Sequence, residues 1–251
     1  MSVYAVSDLH GQYETFIRGL DKIGFSDNDE LYVIGDAIDR GPDGIKLLKH
    51  IKKQKNMELL LGNHELMMLG AVDPNGKKKC NGEFSDLWLY YNGGQATYEK
   101  YGKLSVKERQ SLLLWLNRCY VIKTIEAGGR KICLTHSYYC TELENKEYYE
   151  SDRDLAWDIV WRSMFRDDED TRGGNIYTDY DYEFITGHVP VHKVRIVHAY
   201  AEDFNVLGAY RYGNLVDIDG GCAMGNMPGV NNGAIFLRLD DMKEFPVKIT
   251  G

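Results

Sequence analysis

Apolar positions switch between two periods along the first seventy residues. Val3–Ser7 predicts a strand that starts almost at the first residue. Residues 12–23 then place Phe16, Leu20 and Ile23 on one helical face. Residues 31–34 form a short, wholly apolar run, as expected of a strand covered on both faces. Residues 44–54 return to helical spacing through Ile45, Leu48 and Ile51. A third strand is predicted over 57–61, and another helix begins over 65–69. This repeated strand, loop and helix predicts a layered α/β fold with its chemistry in loops at strand ends.

The middle of the chain has a different texture. Residues 73–81 are polar, with Asp73-Pro74 and Asn75-Gly76 turn signals and the run Lys77-Lys78-Lys79. Helical patterns over 83–91, 95–101 and 105–116 predict a helical insertion at about 83–118. Strands are expected over 120–125 and 131–134, joined by a hairpin turn at Ala127-Gly128-Gly129. Residues 141–183 are acidic and aromatic, with periodicity only over 153–166. Residues 183–186, 194–198, 215–218 and 234–239 predict strands of a second sheet. No repeat, linker or boundary divides the chain, so one domain over 1–251 is expected.

Composition narrows the function. The formal net charge of −8 disfavours extended binding to a phosphate backbone. Five scattered cysteines form no C-x-x-C pair, which argues against a structural zinc site. Their odd number and the lack of a signal peptide predict a reducing, cytoplasmic setting. No apolar run is long enough to span a bilayer.

Five segments put chemistry where strands run out: Ser7-Asp8-Leu9-His10-Gly11, Gly35 to Gly41, Gly62-Asn63-His64-Glu65, Thr135-His136-Ser137 and Gly187-His188. Asp8 and His10 have alternate spacing and can reach one centre. Asp36 can bridge two cations with its two oxygens, and Asn63 offers a neutral carbonyl. His136 and His188 each follow a β-like run. This mixed oxygen and nitrogen set suits Mn²⁺, with Fe or Zn also acceptable. Two cations roughly 3.5–4 Å apart would clamp phosphoryl oxygens and activate a bridging water for in-line attack. Arg40 supplies a charged fork for phosphate. His64 is a natural general acid for the leaving oxygen, oriented by Asp39.

With those residues in view, S-D-L-H-G, G-D-A-I-D-R-G and G-N-H-E resemble the signatures of the phosphoprotein-phosphatase branch of the calcineurin-like metallophosphoesterases. The chain looks most similar to its compact bacterial and phage-type serine/threonine phosphatases. Trp88, Asn92-Gly93-Gly94 and Thr97 resemble a W-x-x-x-N-G-G-x-x-T element of that branch. Gly187-His188-Val189-Pro190 and Val216-Asp217-Ile218-Asp219-Gly220-Gly221 resemble later blocks. The resemblance implies that Asp8, His10 and Asp36 hold a first metal, and Asp36, Asn63, His136 and His188 a second. It implies that Arg40 and Asn63 touch phosphate, with His64 and Asp39 as the acid pair. A second phosphate-binding arginine is implied after a tryptophan; Arg162 follows Trp161, and Arg166 is the alternative. His136-Ser137-Tyr138 departs from the usual His-Ala-Gly or His-Gly-Gly, which bears on the substrate rim.

The resulting expectation is an α/β/α sandwich of two mixed sheets flanked by helices, with the site at one edge. The expected activity is hydrolysis of phosphomonoesters by a metal-bridging hydroxide, with a phosphoserine or phosphothreonine protein as substrate. A dinucleoside-polyphosphate hydrolase is the first rival, because the same metals serve both reactions. A phosphodiesterase and a non-catalytic metal-binding module follow. Trp88 and Trp161 are read as packing residues.

Overall fold

The computed structural model describes residues 1–165, 180–199 and 204–250. Two five-stranded sheets form the centre. In the first, β1 (Val3–Ser7), β2 (Glu30–Ile34) and β3 (Met57–Leu60) run parallel. β9 (Gly233–Arg238) joins β1 antiparallel, and β10 (Lys243–Lys248) closes that edge against β9. In the second, β4 (Ile122–Ala127) and β5 (Arg130–Thr135) form the hairpin. Parallel strands β6 (Glu183–Thr186) and β8 (Leu215–Asp217) continue from β5, and antiparallel β7 (Tyr210–Tyr212) is the edge. Both sheets are therefore mixed, with strand orders β10-β9-β1-β2-β3 and β4-β5-β6-β8-β7.

Strand parity explains the layers. Side chains alternate faces along a strand. Val3, Ala5, Tyr32, Ile34, Ile235 and Leu237 of the first sheet share one apolar cluster with Ile132, Leu134, Ile185 and Val216 of the second. Their neighbours Tyr4, Val6, Leu31, Val33 and Phe236, with Cys133, Phe184 and Leu215, lie in the other cluster, which includes the helical residues. The sheets thus pack face to face, and helices cover the outside. Each fully buried aliphatic side chain in that middle layer contributes about 1.5–3 kcal/mol of transfer free energy.

The helices are α1 (Tyr13–Ile23), α2 (Gly44–Lys53), α3 (Asn63–Ala71), α4 (Glu83–Asp86), α5 (Gln95–Gly102), α6 (Val106–Leu116), α7 (Arg153–Trp161) and α8 (Val191–Ala199). α1 lies so close to β9 that a Cβ at Gly19 would collide with the Phe236 ring. Gly24 stops α1 at φ 63°, where glycine carries no steric cost. The pattern over 83–91 divides into α4 and a π-helical stretch, Leu87–Tyr91.

Three expectations are corrected. Residues 194–198 are not a strand but part of α8. Val, Ile and Val there carry β-propensity, yet Val191 and Val194, one helical turn apart, are the buried pair while Ile196 and Val197 are exposed. Residues 234–239 do form a strand, but it pairs with β1 in the first sheet, not the second. The periodicity expected over 153–166 is carried by α7 only as far as Trp161, and residue 166 lies outside the described residues, as does the acidic run 167–170. No helix among the described residues is long and apolar enough to cross a membrane.

Candidate metal centre

Every candidate ligand follows the carboxyl end of a parallel strand. β1 ends at Ser7, β2 at Ile34, β3 at Leu60, β5 at Thr135 and β6 at Thr186. Asp8 and His10, Asp36, Asn63, His136 and His188 come next in each case. The first two loops are zipped together by backbone bonds. Asp8 N–H donates to Gly35 O (3.2 Å), His10 N–H to Asp36 O (2.9 Å) and Gly11 N–H to Ala37 O (2.9 Å). Glu65, fully buried at the start of α3, fastens a third loop. Its carboxylate accepts from the N–H groups of Asp36 and Ala37 at 2.9 Å and of Gly62 at 3.0 Å.

The loops are strained. Asp8, His10, Asp36, Asp39, Arg40 and His188 all have positive φ, between 41° and 72°. Such a conformation costs a non-glycine residue about 1–3 kcal/mol and persists only where the surroundings over-determine it. Gly35 is required for another reason: a Cβ there would lie 2.5 Å from His136 Nδ1 and 2.8 Å from Gly62 Cα.

Ligand atoms converge on Asp36. Its Oδ2 is 3.6 Å from His10 Nε2, 3.7 Å from His64 Nε2 and 3.5 Å from His136 Nε2. Two groups of donors each fall within 4.8 Å: His10, Asp36 and His64, and Asp36, His136 and His188. Asp8 Oδ1 stands 4.0 Å from His10 Nε2, while its Oδ2 accepts the His188 N–H at 3.0 Å. Asn63 Oδ1 is 3.1 Å from His136 Nε2.

The donor set fits divalent cations. His10 Nδ1 donates to Ile38 O and His136 Nδ1 to Ile34 O, both at 3.1 Å. Each ring therefore turns the Nε2 lone pair inward, the orientation of a metal-ligating histidine. At His136 that lone pair faces the Asn63 carbonyl oxygen, so acceptor meets acceptor unless a cation lies between them. Burial lowers the proton affinity of both rings, and His64 and Arg40 lower it further at His10. A second proton is thus disfavoured, and a metal ion is the fitting counter-charge.

The carboxylates carry the same message. Burial alone would raise Asp36, but the surrounding histidines, His136 first, hold it well below the usual range. Burial, then Asp219 and Asp36, push Asp8 up. Burial and Asp219 do the same to Asp217, and Asp219 itself is pushed up to about 7, chiefly by burial. Glu65 also rises to about 7, through burial and Asp36. Raised carboxyls bind more protons in the fold than in the unfolded chain. Their stabilisation is complete below the ordinary carboxylate range near pH 4 and is lost as pH rises towards and beyond about 7. Depressed Asp36 titrates below that window; within it His64, also raised, adds to the four carboxyls, and the lowered rings of His10 and His136 oppose them, five site groups against two. The melting temperature of chelator-treated protein is accordingly expected to fall from pH 5 to pH 8, and saturating Mn²⁺ to remove most of that slope. Scanning calorimetry checks it; a flat or rising profile without metal would refute it.

His64 stands apart from the other rings. Burial lowers its proton affinity, but Asp36 and Asp39 outweigh it and raise the ring above its ordinary value. Its Nδ1 donates to Asp39 Oδ2 at 2.7 Å. Opposite shifts in neighbouring histidines make His64 the candidate proton donor and the other rings candidate ligands. Arg40 is exposed at the rim, with its backbone N–H on Gly93 O at 3.0 Å. Arg162 lies just past α7, its guanidinium 4.2 Å over the Tyr138 ring and 3.9 Å from Asp158. The neighbouring Trp161 ring is 6.4 Å from that of His188. Arg166 falls outside the described residues.

Sequence reasoning gave no role to Glu65, Asp217, Asp219 or Thr97, and it read Trp88 as packing alone. Trp88 is fully buried, yet its Nε1–H donates to Asp39 Oδ2 at 2.7 Å. The motif V-D-I-D-G-G was the available signal for the two aspartates.

Comparison with known proteins adds the following. The sequence profile of the calcineurin-like phosphoesterase family matches residues 1–218. The symmetrical bis(5'-nucleosyl)-tetraphosphatase of Buchnera aphidicola subsp. Schizaphis graminum is 32% identical over 139 residues, covering 55% of this chain and 44% of that protein. The enzyme of the same name from Erwinia tasmaniensis is 30% identical over 139 residues, with the same coverage. The matched part thus spans less than half the length of these curated relatives. Among solved structures, a protein serine/threonine phosphatase from Saccharomyces cerevisiae superposes with a TM-score of 0.58 at 13% identity, covering 100% of this chain and 81% of its own. A metallophosphoesterase from Sphaerobacter thermophilus gives 0.55 at 11% identity, covering 100% and 88%. At such identities the structures speak for the fold alone.

Proposed function

The chain belongs to the calcineurin-like phosphoesterase family, and on that premise we propose that it hydrolyses dinucleoside tetraphosphates at the central phosphoanhydride, giving two nucleoside diphosphates. Family membership makes it a metal-dependent phosphoester hydrolase; the choice of substrate is the proposal. The observation that carries it is the activity for which the relatives at 30–32% identity are named, symmetrical bis(5'-nucleosyl)-tetraphosphatase. This replaces the phosphoprotein substrate favoured by the sequence, which uses the same residues. Tyr90 and Tyr91, 66% and 81% exposed, offer further support. They sit just before Gly93, which holds the Arg40 backbone, so aromatic faces for a nucleobase stand near the phosphate-binding arginine.

In this proposal one catalytic domain, with a helical insertion at about 83–118, carries the whole site. Asp8, His10 and Asp36 would hold one divalent cation, and Asp36, Asn63, His136 and His188 the other, with Mn²⁺ the best match to the donors. The cations supply Lewis-acid charge to the phosphoryl oxygens and lower the pKa of water. Arg40 would orient the polyphosphate through its planar fork. Water adds to a central phosphorus and loses a proton to solvent as the bond to the bridging oxygen breaks. His64 gives its Nε2 proton to that leaving oxygen and is recharged from solvent. Asp39 keeps the ring oriented and favours its protonated form.

Mn²⁺-loaded protein assayed side by side on diadenosine tetraphosphate and a phosphothreonine peptide tests this. A kcat/KM preference of about tenfold or more for the dinucleotide is expected, one that distinct substrate contacts at the rim can supply. ADP is expected as the sole nucleotide product. A reversed preference would restore the phosphoprotein substrate, and ATP with AMP as products would refute symmetrical cleavage.

A further inference from the structure

We propose that Trp88 is a positioning residue of the general acid, forming with Asp39 and His64 a three-member relay, and that residues 88–97 are built to seat it. The proposal rests on the assignment of His64 as acid, not on the nucleotide substrate.

One oxygen of Asp39 does two jobs. Oδ2 accepts from His64 Nδ1–H and from Trp88 Nε1–H, each at 2.7 Å. Oδ1 is buried and accepts no hydrogen bond. Asp39 and Trp88 are both fully buried, and His64 is 1% exposed. Without the indole, a buried carboxylate would have His64 as its sole side-chain partner and be free to rotate its second oxygen towards the ring. Two charge-assisted bonds to the same oxygen fix the carboxylate plane, and with it the ring that points Nε2 towards Asp36.

The rest of the segment converges on the same point. Asp39 N–H donates to Thr97 Oγ1 at 3.0 Å, and Arg40 N–H to Gly93 O at 3.0 Å. Asp39 and Arg40 both have left-handed backbone, so these two bonds hold a conformation that the loop would otherwise leave. Gly94 leaves room for the indole: a Cβ there would be 2.6 Å from Trp88 Nε1. Trp88 itself lies in the π-helical stretch Leu87–Tyr91, a local distortion of a kind that recurs at functional sites. The spacing of Trp88, Gly93, Gly94 and Thr97 is therefore explained by one task. A tryptophan that merely filled core volume would need none of these polar contacts.

A positioned acid matters most when the leaving group is poor. The test compares Trp88→Phe with the parent protein, both Mn²⁺-loaded and matched for metal content, on phenyl phosphate and 4-nitrophenyl phosphate. The expected result is a loss in kcat on phenyl phosphate about tenfold larger than that on 4-nitrophenyl phosphate, with KM little changed. In a His64→Asn background the same substitution should add no further dependence on leaving group. Equal losses on both substrates, or an undiminished effect in the His64→Asn background, would reduce Trp88 to packing and overturn the proposal. His64→Asn that shows no leaving-group dependence of its own would instead refute the acid assignment on which the proposal stands. Should the phenylalanine variant fold poorly, 3-benzothienylalanine at position 88 keeps the indole shape without the N–H and is expected to give the same selective loss. Nitrogen-15 spectra of the metal-free protein give an independent readout. Trp88 Nε1–H should exchange slowly, and its resonance should move in Asp39→Asn; a fast-exchanging, unmoved resonance would contradict the bond.

Discussion

Asp36→Asn is expected to leave the protein folded but unable to hold two divalent ions, with kcat/KM lower by at least about 10³-fold. Asp36 is the one residue common to both groups of converging donors. Its Oδ2 faces three imidazole nitrogens at 3.5–3.7 Å. An amide has the same shape but offers a single carbonyl oxygen, and its N–H₂ would face lone pairs that need a cation. Two-metal catalysis contributes several kcal/mol of charge stabilisation, and about 1.4 kcal/mol is tenfold in rate. The fold should survive, because the substitution removes a buried charge and changes no volume. Metal content by elemental analysis, circular dichroism and turnover on one sample check the three parts together. Two ions retained per chain in Asp36→Asn would show that Asp36 is not shared.

His64→Asn is expected to behave differently: metal content stays at the parental value while kcat drops by about 10²–10⁴-fold, the usual contribution of a general acid. His64 Nε2 lies within the first donor group, so proximity alone does not separate ligand from acid. Proton affinity and bonding do. His10 and His136 spend Nδ1 on backbone carbonyls and are hard to protonate, whereas His64 spends Nδ1 on a carboxylate and is easier to protonate than an ordinary histidine. Loss of an ion in His64→Asn would move this residue from the acid to the first metal.

Much of this architecture was legible because loops and strands announce themselves locally. Short apolar runs followed by Gly-Asp or Gly-Asn marked β2 and β3, and the residues just beyond them, proposed as ligands, are the ones the fold brings together. Pairing partners were not legible: nothing within residues 234–239 says that they lie beside β1. β10 escaped because Pro246 interrupts its pattern, and proline is tolerated there since β10 is an edge strand. α8 was misread because branched side chains were weighed above the turn-spaced pair Val191 and Val194. At the site, a tryptophan's polar edge has no signature in sequence, so the bond from Trp88 to Asp39 became visible only with coordinates. Glu65 was hidden for a similar reason, since its three partners are backbone N–H groups that no side-chain motif records.

The strand order also constrains how the molecule comes into being. β1 carries the candidate ligands Asp8 and His10 just beyond its end, yet one of its flanks is completed by β9, through Tyr4 opposite Arg238 and Ala5 opposite Leu237. During vectorial synthesis β1, β2 and β3 emerge early and can pair among themselves, while that flank stays open until almost the whole described chain has left the ribosome. An open strand edge is a template for unwanted pairing, and contacts this far apart in sequence form slowly. Until β9 is made, the β1–β2–β3 unit therefore presents an unpaired strand edge to other chains.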